Sequence, residues 1–183
     1  MSFVSAVSDI ICEDYLLENS SGRFKIIENS SLSRSTPIEV GGCRSLGFSL
    51  DKARLQPWGF LKATLPSGFA RKCDGIIAAE YEGEAYAIFI ELKSSPTKCA
   101  DKQIHQSMYF FDWIVKNLTA CGHWHGTYKT IGVICLPARR QASKRTTSRS
   151  FPVPRITHRD GYPIFDLTNR PYICIPELIK ASP

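Results

Sequence analysis

The sequence lacks any apolar run long enough to form a membrane-spanning helix. Its longest uninterrupted apolar stretch, residues 85–90, covers about six positions, whereas a bilayer crossing needs roughly 20. The first residues contain neither a basic segment nor a continuous apolar segment, so we expect no secretory signal. These absences exclude a helical membrane protein, and the odd, scattered cysteines fit reduced thiols in a cytoplasmic location.

Signatures built on cysteine pairs or on glycine-rich loops are also missing. The seven cysteines are odd in number and scattered, and they nowhere form Cys-x-x-Cys, which argues against a disulfide framework and a zinc ribbon. Cys121, His123 and His125 place three potential ligands close together, but no partner pair follows at zinc-site spacing, so we assign them a structural or loop role. No Walker or dinucleotide pattern occurs, and nucleotide-driven chemistry is therefore unsupported.

The composition is that of an ordinary globular domain with a basic excess. The 183 residues are 43% hydrophobic and 22% charged, so we predict one domain over residues 1–183. The net charge is +6 and the isoelectric point is about 9.0, which favours a polyanionic partner. Positions 139–159 hold no acidic residue, and their candidates for phosphate contacts are Arg139, Arg140, Lys144 and Arg145. An ordinary solvated loop is the alternative for this stretch.

Hydrophobic periodicity predicts helices and strands along the chain. Apolar residues recur at helical spacing over residues 3–18 and over residues 100–118, with Trp113 on the polar side of the second helix. A right-handed crossover would place an apolar strand at residues 130–136 parallel to residues 84–93. The pattern weakens over residues 19–66, and the sequence leaves open whether this region packs around a site or covers it. Further short strands are predicted at residues 23–27, 46–50, 162–167 and 172–175, and a short helix opens at residues 176–177.

A β-hairpin gives the clearest local signal. Two strand-like runs, residues 71–81 and 84–93, flank the turn Glu82-Gly83. With these two residues as the loop, paired positions sum to 165, and Asp74 lies directly opposite Glu91. Opposed side chains point to the same face with their Cβ atoms about 5 Å apart, and Lys93 shares that face.

Two facing carboxylates at a strand end point to metal chemistry. Carboxylates about 5 Å apart repel each other unless a cation lies between them, and hard divalent ions such as Mg²⁺ bind oxygen ligands of this type. A lysine beside such an ion can orient or deprotonate a water. The alternative is a salt-bridged strand end on a solvated sheet face. Consecutive apolar positions over residues 87–90 indicate instead that both faces of this strand are covered.

The order and placement of the candidate residues resemble those of the PD-(D/E)XK nuclease superfamily. These residues are Asp74, then Glu91-Leu92-Lys93, then Gln106 on the following helix. The resemblance implies an α/β, restriction-endonuclease-like fold, in which helices flank a mixed central sheet with an αβββαβ core. It also implies that Asp74 and Glu91 bind one or two Mg²⁺ or Mn²⁺ ions and that the carbonyl of Leu92 can be a further ligand. In this family the lysine, here Lys93, supports the attacking water.

The helices of the resemblance supply two further candidates. The run from Gln106 to Phe110 is similar to the Gln-x-x-x-Tyr element of exonuclease-like members, with phenylalanine at the tyrosine position. Gln106 would orient the lysine or a phosphate, and Gln103 is an equally available substitute at the edge of the apolar face. Many members also carry a glutamate on the first helix that approaches the metal, and Glu13 is the best-placed candidate here.

The resulting hypothesis is a metal-dependent nuclease that hydrolyses phosphodiester bonds with Mg²⁺ or Mn²⁺. DNA is favoured over RNA because it is the usual substrate of the family. Arg71 and Lys72 would add positive charge at the mouth of the site. The alternatives are a non-catalytic nucleic-acid-binding or assembly subunit with the same fold and an RNA endonuclease. The sequence leaves open whether two copies pair or join a larger complex.

Overall fold

The computed structural model describes residues 1–28, 37–51, 71–93, 99–136, 154–157, 161–168 and 170–183. Within these ranges the chain is α/β, as predicted, with two mixed sheets. The helices are α1 (Phe3–Ser8), α2 (Ala100–Ala120) and α3 (Ile175–Lys180), and a 3-10 turn covers Glu13–Tyr15. The strands are β1 (Glu18–Ser20), β2 (Arg23–Ile26), β3 (Ile38–Gly41), β4 (Arg44–Phe48), β5 (Gly75–Tyr81), β6 (Glu84–Leu92), β7 (Tyr128–Leu136), β8 (Arg155–Ile156), β9 (Pro163–Thr168) and β10 (Tyr172–Cys174). None of these helices combines the length and the apolar content that a bilayer crossing requires.

The larger sheet has six strands in the order β4-β5-β6-β7-β9-β8. Strands β4, β5 and β6 are antiparallel, whereas β6, β7 and β9 are parallel, so α2 lies in the crossover between β6 and β7. The predicted parallel pairing of residues 130–136 with residues 84–93 is therefore confirmed. The smaller sheet has the order β1-β2-β3-β10, with β10 parallel to β3.

The hairpin of β5 and β6 has the predicted register. Gly75 pairs with Ile90 and Tyr81 pairs with Glu84, so paired positions sum to 165. Both loop residues have positive φ, 52° at Glu82 and 83° at Gly83, which is the combination of a type I′ turn. The twist of that turn matches the twist of the strands, and the register places position 74 opposite position 91.

Helix α2 matches its prediction closely and covers one face of the larger sheet. Its observed end at Ala120 lies two residues beyond the predicted one. Phe111 packs edge-on against Phe3 and Phe89, with ring centroids 6.1 Å and 5.9 Å away. The helix is thereby fixed over the strand that carries Glu91.

The first helix is shorter than predicted because the chain leaves it to pair with a sheet edge. Helix α1 ends at Ser8 instead of continuing to residue 18. The Leu17 N–H donates to the carbonyl of Gly47 at 2.9 Å, and the Ser49 N–H donates to the carbonyl of Tyr15 at 2.9 Å. Extended backbone thus protects the edge of β4. The apolar residues with helical spacing are divided between α1 and this edge segment.

Two hydrophobic cores lie on opposite faces of the larger sheet. One core packs α1 and α2 against the face that carries Ile76 and Phe89. The other packs the smaller sheet and α3 against the face that carries Ile77 and Ile88. Both faces of β6 are therefore covered, as its apolar sequence predicted.

The described part of residues 19–66 forms most of the smaller sheet and the β4 edge. The strands predicted at residues 23–27 and 46–50 correspond to β2 and β4, and the two predicted near the C-terminus correspond to β9 and β10. Strands β1 and β3 were not predicted. The smaller sheet packs as a layer behind the larger sheet, on the side opposite α2.

Candidate functional site

Asp74 and Glu91 lie at the open end of the hairpin, on the sheet face covered by α1 and α2. Asp74 immediately precedes β5, and Glu91 is the penultimate residue of β6. Two positions away in each strand, Ile76 and Phe89 belong to the helical core, which fixes the face that the acids share. Only 4% of Asp74 and 1% of Glu91 is exposed. The structure thus brings together the acidic pair that the register predicted.

One carboxylate oxygen of the pair lacks a hydrogen-bond partner. The Leu92 N–H donates to Asp74 Oδ2 at 2.7 Å, and Lys93 Nζ donates to Glu91 Oε1. Glu91 Oε2 is buried and accepts no hydrogen bond from the described residues. Because buried polar atoms in native proteins are almost always paired, this oxygen marks a position where a bound cation would be stabilised.

Burial raises the pKa of both carboxyl groups. Desolvation raises the pKa of Asp74 to about 7, against the opposing effects of the Leu92 N–H and the Lys93 ammonium. Desolvation and the proximity of Asp74 raise the pKa of Glu91 to about 8, again against Lys93. At neutral pH the pair therefore resists carrying two negative charges, and a divalent cation would remove that conflict.

Lys93 is held between β6 and α2. Its Nζ contacts the Glu91 carboxylate and donates to Gln103 Oε1 at 2.6 Å. Gln103 Nε2 donates in turn to the carbonyl of Lys72 at 3.0 Å. The Lys93 side chain is 14% exposed, so its ammonium is fixed beside the acids and still reachable from solvent.

Gln103, the substitute that the sequence offered, contacts Lys93 in the structure, and Gln106 does not. Gln106 is exposed on α2, whereas Gln103, about one turn earlier, faces the end of β6. The two positions differ by about 60° around the helix axis, and only Gln103 lies at the boundary of the buried face. That boundary was visible in the sequence, but the spacing of the family motif favoured Gln106.

Cys73 and Ser107 fix the backbone next to Asp74. The Cys73 N–H donates to Ser107 Oγ at 2.8 Å, and both residues are buried. Ser107 lies one turn after Gln103, so the same part of α2 positions both Lys93 and Asp74. Sequence reasoning did not identify this serine, and its only signal was a small polar residue within the apolar face of a helix.

Two acids that the sequence analysis did not single out lie near the pair. Glu28 and Asp51 both raise the pKa of Asp74, and Glu28 also raises the pKa of Glu91. Burial raises the pKa of Asp51 itself, while two neighbouring lysines oppose this effect. Each acid follows a short predicted strand by two or three residues, which was the available sequence signal.

The other predicted site residues are placed differently. Glu13 is exposed on the 3-10 turn, and in the described part of the chain it forms no metal-holding group with Asp74 and Glu91. Its expected role required a first helix that continues to residue 18. Arg71 and Lys72 are partly buried immediately before the site. The predicted phosphate-binding residues Arg139, Arg140, Lys144 and Arg145 lie outside the described residues.

The donor set fits magnesium better than a softer metal. Within the described ranges, no three His, Cys, Asp and Glu side chains are grouped to hold a metal ion by themselves. Mg²⁺ suits this arrangement because proteins commonly bind it through one or two carboxylates together with waters and substrate phosphates. Burial raises the pKa of the neighbouring thiols of Cys73 and Cys135, so in the metal-free protein they lie near the pair as neutral groups.

The chemistry of the site has to be inferred from its own side chains. The acidic pair is buried, one of its oxygens is unpartnered among the described residues, and a fixed ammonium lies alongside. No protein-family model, curated protein or solved structure matches the chain.

Proposed function

We propose that this protein is a metal-dependent nuclease that hydrolyses phosphodiester bonds, with DNA as the favoured substrate. One observation carries the proposal: Asp74 and Glu91 are buried on one sheet face beside Lys93, and Glu91 Oε2 has no partner among the described residues. A structural ion pair with Lys93 would need only one of these carboxylates. The second adds desolvation and repulsion that a divalent cation would offset.

The order of elements supports the same proposal. Helix α1, strands β4, β5 and β6, helix α2 and strand β7 occur in the chain order αβββαβ once the inserted 3-10 turn and strands β1, β2 and β3 between α1 and β4 are set aside. The resemblance to PD-(D/E)XK nucleases implies this order, with the aspartate at the second strand and Glu-x-Lys at the end of the third. A restriction-endonuclease-like core is therefore part of the proposal, and the smaller sheet is an addition to that core.

Each side chain at the strand end has a defined role in the proposal. Asp74 and Glu91 would hold Mg²⁺ or Mn²⁺, with the carbonyl of Leu92 as a further ligand. When bound, the ion would polarise a phosphoryl oxygen and lower the pKa of the attacking water. Lys93 Nζ, already beside the carboxylates, would orient that water and take part in its deprotonation.

Gln103 acts in this proposal as a positioning residue. Its Oε1 accepts a hydrogen bond from Lys93, and its Nε2 donates to the carbonyl of Lys72, so the amide is held at both ends. The lysine is thereby kept in one orientation before substrate binds. The net charge of +6 supports a polyanionic substrate, whereas the preference for DNA comes from the resemblance alone.

Cleavage assays with matched variants test the proposal. Plasmid DNA, linear DNA and single-stranded RNA are incubated with Mg²⁺, Mn²⁺ or EDTA. We expect metal-dependent DNA cleavage by the wild type and a rate lower by about 10²–10⁴-fold for Lys93→Ala. The control Lys102→Ala removes an exposed lysine from the first turn of α2 and should cleave at the wild-type rate. Cleavage in EDTA, or metal-dependent cleavage that survives Lys93→Ala, contradicts the proposal.

Calorimetry separates the enzyme from a non-catalytic nucleic-acid-binding subunit with the same fold. The enzyme should take up Mn²⁺ and lose this binding in Asp74→Asn. A non-catalytic subunit should bind DNA in a salt-sensitive manner without taking up the metal. Cleavage of RNA in preference to DNA would favour the RNA endonuclease alternative.

A further inference from the structure

An apolar groove lies beside the candidate site. It runs between the C-terminal half of α2 and residues 10–15, and its volume is about 530 Å³. Ligand pockets typically have volumes of about 300–1,000 Å³. Trp113 lines this groove and is 58% exposed, and Ile10 on the opposite wall is 47% exposed. Large apolar side chains grouped at a surface groove are typical of a binding site.

Leu50 links the groove to the neighbourhood of the candidate site. This residue lines the groove, and its carbonyl accepts a hydrogen bond from Lys72 Nζ at 2.8 Å. The next residue, Asp51, is close enough to Asp74 to raise its pKa. Leu50 and Asp51 therefore link the lining of the groove to the surroundings of the acidic pair.

Helix α2 provides a second connection. Gln103, Phe110 and Asn117 are spaced by seven residues, so they follow one line along the helix surface. Gln103 contacts Lys93 at one end of this line, and the other two residues line the groove. At a rise of 1.5 Å per residue, Trp113 lies about 15 Å along the axis from Gln103. An extended polymer with one phosphate at the acidic pair would reach the groove.

The chemistry of the groove suits bases better than phosphates. The rings of Phe110 and Trp113 are stacked, with centroids 5.8 Å apart and planes inclined by 25°. The described lining contains no lysine or arginine to pair with a phosphate. Unpaired bases of any nucleic-acid sequence can stack on exposed aromatic rings. The faces of bases within a duplex are already stacked on neighbouring bases.

We infer that this groove binds the unpaired bases of a single nucleic-acid strand that passes through the candidate site. The path of the strand past Asp74 and Glu91 rests on the proposed nuclease function. Base stacking in the groove does not require catalysis. A distance of about 15 Å corresponds to roughly four nucleotides at 3.4 Å each, and to fewer in a stretched strand. The substrate class is therefore single-stranded nucleic acid or a duplex with an unpaired end.

Binding in EDTA tests this inference independently of cleavage. The probe is a fluorescein-labelled 12-nucleotide oligothymidylate, compared with a 12-base-pair duplex, and anisotropy gives the dissociation constant for the full chain. We expect the single strand to bind more tightly than the duplex. Trp113→Leu should weaken strand binding by roughly 5- to 100-fold, while Trp113→Phe, which keeps a ring, should retain most of the affinity. Tyr81→Leu is the control, since Tyr81 is a partly exposed aromatic at the opposite end of β5.

The outcomes distinguish the groove from the nuclease. Equal affinity for strand and duplex, or unchanged affinity in Trp113→Leu, overturns the inference even if the protein cleaves DNA in a metal-dependent manner. Loss of strand binding in Trp113→Leu without any cleavage by the wild type supports the groove and contradicts the nuclease. A dimer in sedimentation velocity that Trp113→Leu dissociates would assign the groove to a second copy of the chain and also overturn the inference.

Discussion

Replacement of Asp74 by asparagine should stabilise the metal-free protein at alkaline pH. The substitution keeps the shape of the side chain and an oxygen that can accept the hydrogen bond from the Leu92 N–H. It removes the buried charge that raises the pKa of Glu91. Glu91 then retains Lys93 as its counterion without a second carboxylate beside it.

The sign of the effect follows from proton binding. The pKa of Asp74 rises from 3.8 to about 7 on folding, so between these pH values the folded state binds more protons than the unfolded state. The stability contributed by this group is therefore greatest below about pH 4 and is lost as the pH rises towards 7. At about 1.4 kcal/mol for each pH unit between the two pKa values, the ionised carboxyl costs about 4 kcal/mol of unfolding free energy at pH 8.

Urea denaturation in EDTA between pH 5 and pH 8 measures this cost. The stability advantage of Asp74→Asn over the wild type should grow by about 3 kcal/mol across that range. Mg²⁺ should stabilise the wild type at pH 8 but not the variant. Glu82→Gln, at the exposed hairpin turn, is the surface control and should leave the unfolding free energy close to that of the wild type. An advantage that stays constant with pH, or that shrinks as pH rises, would refute the assignment of a buried, repelling acid pair.

Three further predictions concern residues around the pair. Gln103→Ala should lower the DNA cleavage rate by about 10- to 100-fold, as loss of a positioning contact typically does. The matched control Gln106→Ala should cleave DNA at the wild-type rate. Equal losses in the two variants would contradict the role of Gln103. Ser107→Ala should lower the unfolding free energy by about 1–3 kcal/mol in urea titrations, because the Cys73 N–H loses its buried acceptor. An unchanged urea midpoint would contradict the contribution of this hydrogen bond to stability. Gly75→Ala should destabilise by about 1–3 kcal/mol, since its Cβ would lie 2.7 Å from Ile26 Cδ1. Adding Ile26→Val removes that methyl group and should recover part of the loss, and failure to recover any would exclude this clash as the cause.

The candidate site was predictable where local chain chemistry determines the structure. The turn Glu82-Gly83 accepts the positive φ values of a two-residue loop, and this alone fixes which residues face each other along the hairpin. The facing of Asp74 and Glu91 followed without any tertiary information. Local rules could not choose between Gln103 and Gln106, because only the packing of α2 on β6 decides which of them meets Lys93.

Non-local pairing set the limit of prediction in the first third of the chain. The helical spacing of apolar residues continues past Ser8, but the edge of β4 competes for the backbone of Tyr15 and Leu17. Strand β3 pairs with β10 near the other end of the chain, a contact that no local pattern encodes. Glu28 and Asp51 approach Asp74 only in the folded chain, so their positions after short strands did not by themselves show that they lie near the pair.

Anomalous diffraction from crystals soaked in MnCl₂ tests the acidic pair most directly. We predict a manganese peak between the carboxylates of Asp74 and Glu91, with Glu91 Oε2 as a ligand. An absence of any peak between these two side chains at saturating Mn²⁺, with Lys93 still bound to Glu91, would contradict the metal centre on which the proposed nuclease depends.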